Sequence, residues 1–148
     1  MQRLIDQDPA NTGAQLALSE LELAQGDQPA AVGRLEALHK AHPKLVEAPM
    51  MLARIALAKD DAKRADELID AALNASSKRG DVLNAAGMLY LASGRFDQAQ
   101  TMFREGTASE AGNPLLWLNL GRAQLGLNQR GPARESLEKA LSLQPQWL

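Results

Sequence analysis

Apolar positions along this chain recur with the period of a helix, and the helices themselves recur with a longer one. From 114 to 145 the sequence reads PLLWLNLGRAQLGLNQRGPARESLEKALSLQP. Trp117, Leu120, Gly121 and Leu125 mark one face of a first helix, and Ala133, Leu137, Ala140 and Leu141 one face of a second. Steps of 34 residues back from Ala133 land on Ala99, Ala65 and Ala31. From Leu137 they reach Phe103, Ile69 and Leu35, and from Leu125 they reach Leu91, Leu57 and Leu23. From Gly121 they reach Gly87, Ala53 and Ser19, all small, and from Pro145 they reach Ala111, Ser77, Pro43 and Pro9. Columns that stay in phase without an insertion are the mark of a repeat array.

The pattern predicts helix pairs over 12–25 and 28–41, 46–58 and 62–75, 80–92 and 96–109, and 114–127 and 130–143. Gly26-Asp27, Asp60-Asp61 and Ser93-Gly94 break the first three pairs. Pro29 and Pro49 fall in opening turns, where a missing N–H costs little. His42-Pro43 ends a helix, Asn113 is an N-cap for Pro114, and Gly131-Pro132 opens the last helix. Leu16, Leu18, Leu21 and Leu23 give the first helix its apolar positions, and Ala31, Leu35 and Leu38 those of its partner. Leu52, Ile55, Leu57, Ala65, Leu68, Ile69 and Leu73 form the apolar face of the second pair. The alanine column and the Ser19–Gly121 column are small because two helix backbones approach closely there. A larger side chain would overpack the contact at about 1–3 kcal/mol. One pair cannot bury its own stripe, so neighbours must stack.

Composition narrows the function more than the fold. The formal net charge is −2, which leaves no basic field for a phosphate backbone, so nucleic acid is disfavoured. The chain has no cysteine, which excludes disulfides and thiolate metal sites and leaves the compartment open. No apolar run is long enough to span a bilayer. The opening MQRLIDQDP lacks the apolar run of a signal peptide. In repeat phase, residues 2–8 read as the end of a second helix stopped near Pro9, and Trp147 and Leu148 stand where a new unit should begin. The expectation is a piece of a longer array: a second-helix remnant at 1–11, then units at 12–45, 46–79, 80–113 and 114–147.

The unit resembles the tetratricopeptide repeat (TPR), a helix-turn-helix of 34 residues. Trp117, Leu120, Gly121, Ala133, Leu137, Ala140 and Pro145 fill that family's pattern in the last unit. Leu83, Ala86, Gly87, Tyr90, Gly94, Phe96, Ala99 and Phe103 fill most of it one unit earlier. The first two units depart from it, with Gln15 and Pro49 in the place of Trp117. The resemblance implies an all-α solenoid, a right-handed superhelix of antiparallel helix pairs whose first helices line a concave binding wall. It points Leu16, Glu20, Met50, Met51, Arg54, Asn84, Met88, Leu118, Asn119 and Arg122 into that wall.

Each of these residues has a competing reading. Arg54 and Arg122 hold equivalent places two units apart; they suit carboxylates or phosphates, or else stand solvated or paired with a neighbouring Glu. Met50, Met51 and Met88 form an adaptable apolar floor, or inter-repeat core. Asn84 and Asn119 suit hydrogen bonds to a peptide backbone. The carboxylate clamp of chaperone-binding members is not met, because Leu16, Met50 and Leu118 stand where its first lysine would be. His39, His42 and Glu36 have helical ligand spacing but read as surface residues at a helix end. Asp60, Asp61 and Asp66 lack the glycine and terminal glutamate of a calcium loop, and Asp60 and Asp61 read as helix-start residues. The turn at 76–80 has no phosphate-loop spacing, and no nucleophile or paired carboxylates point to catalysis. No metal, cofactor or enzymatic activity is expected.

Two functions follow from the resemblance. One is a non-catalytic scaffold or adaptor that binds a peptide or partner protein in the groove. The other is a module of exopolysaccharide export, because Leu21–Asp27 and Ile55–Asp60 have a cadence similar to that of bacterial envelope proteins, such as the TPR lipoprotein of the PEP-CTERM/exosortase system. That likeness implies a lipid-anchored envelope or periplasmic parent in preference to a cytoplasmic one. The aromatics favour protein over sugar: Tyr90, Phe96, Phe103 and Trp117 belong to repeat packing, leaving Trp147 alone to stack on a ring. A homodimer through uncapped repeat ends is a further expectation.

Overall fold

The computed structural model describes residues 11–144. The remnant helix expected at 2–8 and the residues Pro145, Trp147 and Leu148 lie outside them. The described residues form eight helices and no strand: α1 (Thr12–Ala24), α2 (Gln28–Ala41), α3 (Glu47–Ala58), α4 (Ala62–Ala75), α5 (Gly80–Ala92), α6 (Phe96–Ser109), α7 (Pro114–Gly126) and α8 (Arg130–Leu143). The chain divides into two compact units, residues 1–76 with α1–α4 and residues 77–148 with α5–α8. Within the first, α1 packs on α2, α2 on α3 and α3 on α4. Within the second, consecutive helices pack in the same way and α5 also touches α7. None of the described helices is long and apolar enough to cross a membrane.

The same turn closes all four hairpins. Gly26, Asp60, Gly94 and Asn128 stand one repeat apart and hold φ of 82°, 58°, 74° and 58°. In each case the next residue donates its N–H five positions back, from Asp27 to Glu22, Asp61 to Ala56, Arg95 to Tyr90 and Gln129 to Gln124, at 2.8–2.9 Å. This is the Schellman stop, which satisfies carbonyls that the helix end leaves orphaned. Glycine enters the left-handed region freely, and Asp and Asn are the side chains that tolerate it best. Asp60 is therefore a turn residue, not a helix-start residue. Asp61 is the helix start: its carboxylate accepts from the Arg64 N–H at 3.1 Å. Asn11, Asp27 and Asn113 cap α1, α2 and α7 likewise.

The small columns lie at the helix crossings. Ala31, Ala65, Ala99 and Ala133 are fully buried, as are Ser19 and Ala53. A Cβ on Gly87 would sit 2.5 Å from the Phe103 ring, and one on Gly121 would sit 2.7 Å from Leu137. Three leucines expected on the apolar faces are exposed instead: Leu21 by 46%, Leu125 by 49% and Leu141 by 38%. On α7 the buried face runs through Leu116, Leu120 and Ala123, and Leu125 is turned away from it. Its repeat equivalents Leu23, Leu57 and Leu91 are half-buried.

Buried polar pairs pin two of the hairpins. Arg34 forms a forked contact with Glu22, with Nη2–Oε1 at 2.8 Å and Nε–Oε2 at 3.2 Å. In the last pair the Ser136 hydroxyl donates to Gln124 Oε1 at 2.8 Å. Apolar periodicity gives no sign of either pair.

Candidate functional site

In the second unit α5 and α7 each follow and precede α6 as antiparallel neighbours, so the two run parallel. Asp81, Asn84, Met88 and Leu91 make a stripe along α5 at spacings of three and four, and Leu115, Leu118, Arg122 and Leu125 make the matching stripe along α7. Met88 is 38% exposed, Leu115 44% and Leu125 49%, so apolar surface gathers on this face. Met88 is therefore no part of the core. Arg122 is exposed and makes no ion pair or side-chain hydrogen bond among the described residues.

Asn84 and Asn119 meet between the stripes. Asn119 Nδ2 donates to Asn84 Oδ1 at 2.9 Å. Asn119 is only 2% exposed, so it is not the open groove residue that the repeat register suggested. Its Oδ1 is buried and has no partner. Exchanging O and N on both amides keeps the contact but leaves Nδ2 of Asn119 unspent instead. Either way one polar atom of this amide pair has no partner within the described residues.

Toward the helix N-termini a hollow of about 670 Å³ opens beside Asn84 and Leu115. Its charged lining is largely neutralised from within. Lys78 pairs with Glu105 at 2.9 Å, and Arg79 pairs with Asp81 at 3.1 Å. The Glu110 carboxylate lies against Gly80 at the start of α5, where a Cβ would be 2.1 Å from Oε1. There it faces the positive end of a helix that has no side-chain N-cap. The Trp117 indole N–H donates to the Ala111 carbonyl at 2.8 Å and ties down the loop before α7.

The first unit carries the other expected site residues. Met50 and Met51 are half-buried on α3, Arg54 is exposed, and on α1 Leu16 is half-buried and Glu20 exposed. Arg54, like Arg122, has no ion pair among the described residues. His42 is the C-cap of α2 and His39 is half-buried beside it. No group of three or more metal-ligating side chains occurs among the described residues. Tyr90 and Phe103 are buried and Phe96 and Trp117 half-buried, so the described aromatic rings are taken up in packing.

Helix hairpins at a fixed period, nested through small residues, define the class of α-helical repeat proteins. The tetratricopeptide-repeat family model matches residues 90–147. The chain has an all-α fold of the tetratricopeptide-repeat kind. No curated protein matches it in sequence. Among solved structures it is similar to the MamA protein, with 20% identity over 98% of this chain and 79% of that one, at a TM-score of 0.72. It is similar to pilF of Pseudomonas aeruginosa, with 25% identity over 90% of this chain and 61% of that one, at 0.70. It is also similar to YrrB, described as a TPR protein with an unusual peptide-binding site, with 16% identity over 97% and 92%, at 0.51.

Proposed function

We propose that the chain is a non-catalytic interaction module that binds an extended segment of a partner protein along the first helices of its repeats. In the second unit the segment lies across α5 and α7. Its main chain bonds the half-buried Asn84 amide, its apolar side chains rest on Met88, Leu115 and Leu118, and an acidic side chain meets Arg122. Met50, Met51 and Arg54 offer the same mix of apolar floor and free cation in the first unit. The observation that carries this reading is the exposed apolar surface of Met88 and Leu115 beside the exposed, unpaired Arg122. A helical ligand has satisfied its own backbone and would cover the Asn84 amide without bonding it. An extended strand has free N–H and C=O groups to offer. The solved structure of YrrB, with the peptide-binding site its description records, supports the class of ligand.

Selection from a random peptide display library tests the proposal. Enriched peptides should combine apolar and acidic residues and bind the chain in extended form. Asn84→Ala with Asn119→Ala should lower their affinity about tenfold or more, the loss of one or two hydrogen bonds in a dry site. Enrichment of helical peptides, or affinity indifferent to both asparagines, would refute it.

A further inference from the structure

One position in the repeat is filled three times and empty once. Glu22, Ala56, Tyr90 and Gln124 stand one repeat apart near the ends of α1, α3, α5 and α7, all 5–7% exposed. Glu22 reaches Arg34, and Gln124 reaches Ser136. The Tyr90 ring lies under the Arg95 guanidinium, 4.9 Å from its centroid. In the second repeat the same place holds only the methyl of Ala56. A hollow of about 350 Å³ opens there, on the side of α3 opposite Met50 and Arg54. Its floor is Leu52, Ile55, Ala56 and Leu68, each no more than 8% exposed. Its rim carries Lys59 and Arg64 with the carboxylates of Glu36 and Asp61.

We propose that this hollow receives a tyrosine side chain from a partner protein, which occupies the place that Tyr90 fills in the following repeat. The size suits one ring, being near the lower end of ligand pockets, about 300–1,000 Å³. An apolar floor suits the ring body. The rim supplies charge complementarity: a ring face is negative, and two cations border it. Lys59 has no side-chain partner among the described residues. Arg64 is held only loosely, at 4.0 Å from Glu36 and 3.6 Å from Glu67, so its guanidinium is available to a ring as Arg95 is to Tyr90. Glu36 offers an acceptor for the phenol O–H. An aliphatic side chain would satisfy the floor and leave the rim without a complement. A carboxylate would suit the cations but not the floor. The site is independent of the wall on the first helices, and neither proposal stands or falls with the other.

The test is a titration of the full chain, isotope-labelled for NMR, with N-acetyltyrosinamide, and with N-acetylleucinamide for comparison. The tyrosine probe should shift the amides of Ala56, Lys59, Arg64 and Leu68 and bind about fivefold more tightly than the leucine probe, the effect of one exposed cation–π contact. Ala56→Tyr should fill the hollow from within, abolish those shifts and raise the melting temperature. Lys59→Gln with Arg64→Gln, which leaves the floor intact, should bring tyrosine affinity down to that of leucine. The proposal is overturned if the probe shifts nothing around Ala56, if leucine binds as well as tyrosine to the unaltered chain, or if a folded Ala56→Tyr variant still binds the probe there.

Discussion

Gly87→Ala sets two opposed effects against each other at one atom. Alanine is the better helix former by about 1 kcal/mol, so by backbone propensity alone the change should stabilise α5. The added Cβ, however, would sit 2.5, 2.7 and 2.9 Å from three ring carbons of Phe103. Phe103 is fully buried, so its ring cannot swing into solvent to make room. Overpacking of this kind costs about 1–3 kcal/mol, and a rigid ring puts the cost in the upper part of that range. The expected net is a destabilisation of about 1–2 kcal/mol, worth a few degrees in melting temperature for a chain of this size. Gly33→Ala is the control. Gly33 lies inside α2, and a Cβ there would meet nothing within 4 Å. That variant should gain about 0.5–1 kcal/mol. Urea unfolding followed by circular dichroism measures both, and the opposite signs matter more than either size. If Gly87→Ala stabilises as much as Gly33→Ala does, the close crossing of α5 and α6 is not what holds this repeat together.

Other perturbations test the turns, the buried polar pair and the free arginines. Gly94→Ala meets no clash but must hold a φ of 74°, so it should cost about 1–2 kcal/mol from backbone conformation alone, whereas Asp60→Gly at φ 58° should cost nothing or stabilise, both read by chemical denaturation. Ser136→Ala leaves buried Gln124 without its 2.8 Å partner and should cost about 1–3 kcal/mol; pairing it with Gln124→Leu should recover most of that loss, a difference a double-mutant cycle resolves. Arg54→Ala with Arg122→Ala should leave the melting temperature within a degree or so, because neither side chain is paired within the protein, while lowering affinity for a selected acidic peptide in titration calorimetry.

Much of the fold is legible in the chain because its signals are local. Helix bounds expected over 28–41, 62–75, 80–92, 96–109 and 130–143 are those of α2, α4, α5, α6 and α8. Proline placement, Asx caps and the left-handed turn residues act within a few positions of themselves, and the column of small residues needs only one neighbour to explain it. The candidate site is less legible. Arg54 and Arg122 read equally well as paired or free, and only the surroundings show them free. Asn119 looks like a groove residue by register, yet it is buried against Asn84. Glu22–Arg34 and Gln124–Ser136 escaped notice because a charged or polar residue on an amphipathic helix is ordinarily assigned to solvent. The one available signal was the shared spacing of twelve residues in the two pairs, at equivalent positions of the first and fourth units.

The amino-acid order by itself determined the class of fold, the period of the helix pairs, the bounds of five of the eight described helices and the other three to within a residue, and which positions must stay small. Tertiary structure alone decided that Leu125 is exposed, that Asn119 is buried with a polar atom unspent, and that the alanine at 56 leaves a hollow where Tyr90 fills its counterpart. Periodicity assigns a residue an angle around its helix, whereas burial depends on which neighbouring helix stands at that angle and how far its side chains reach.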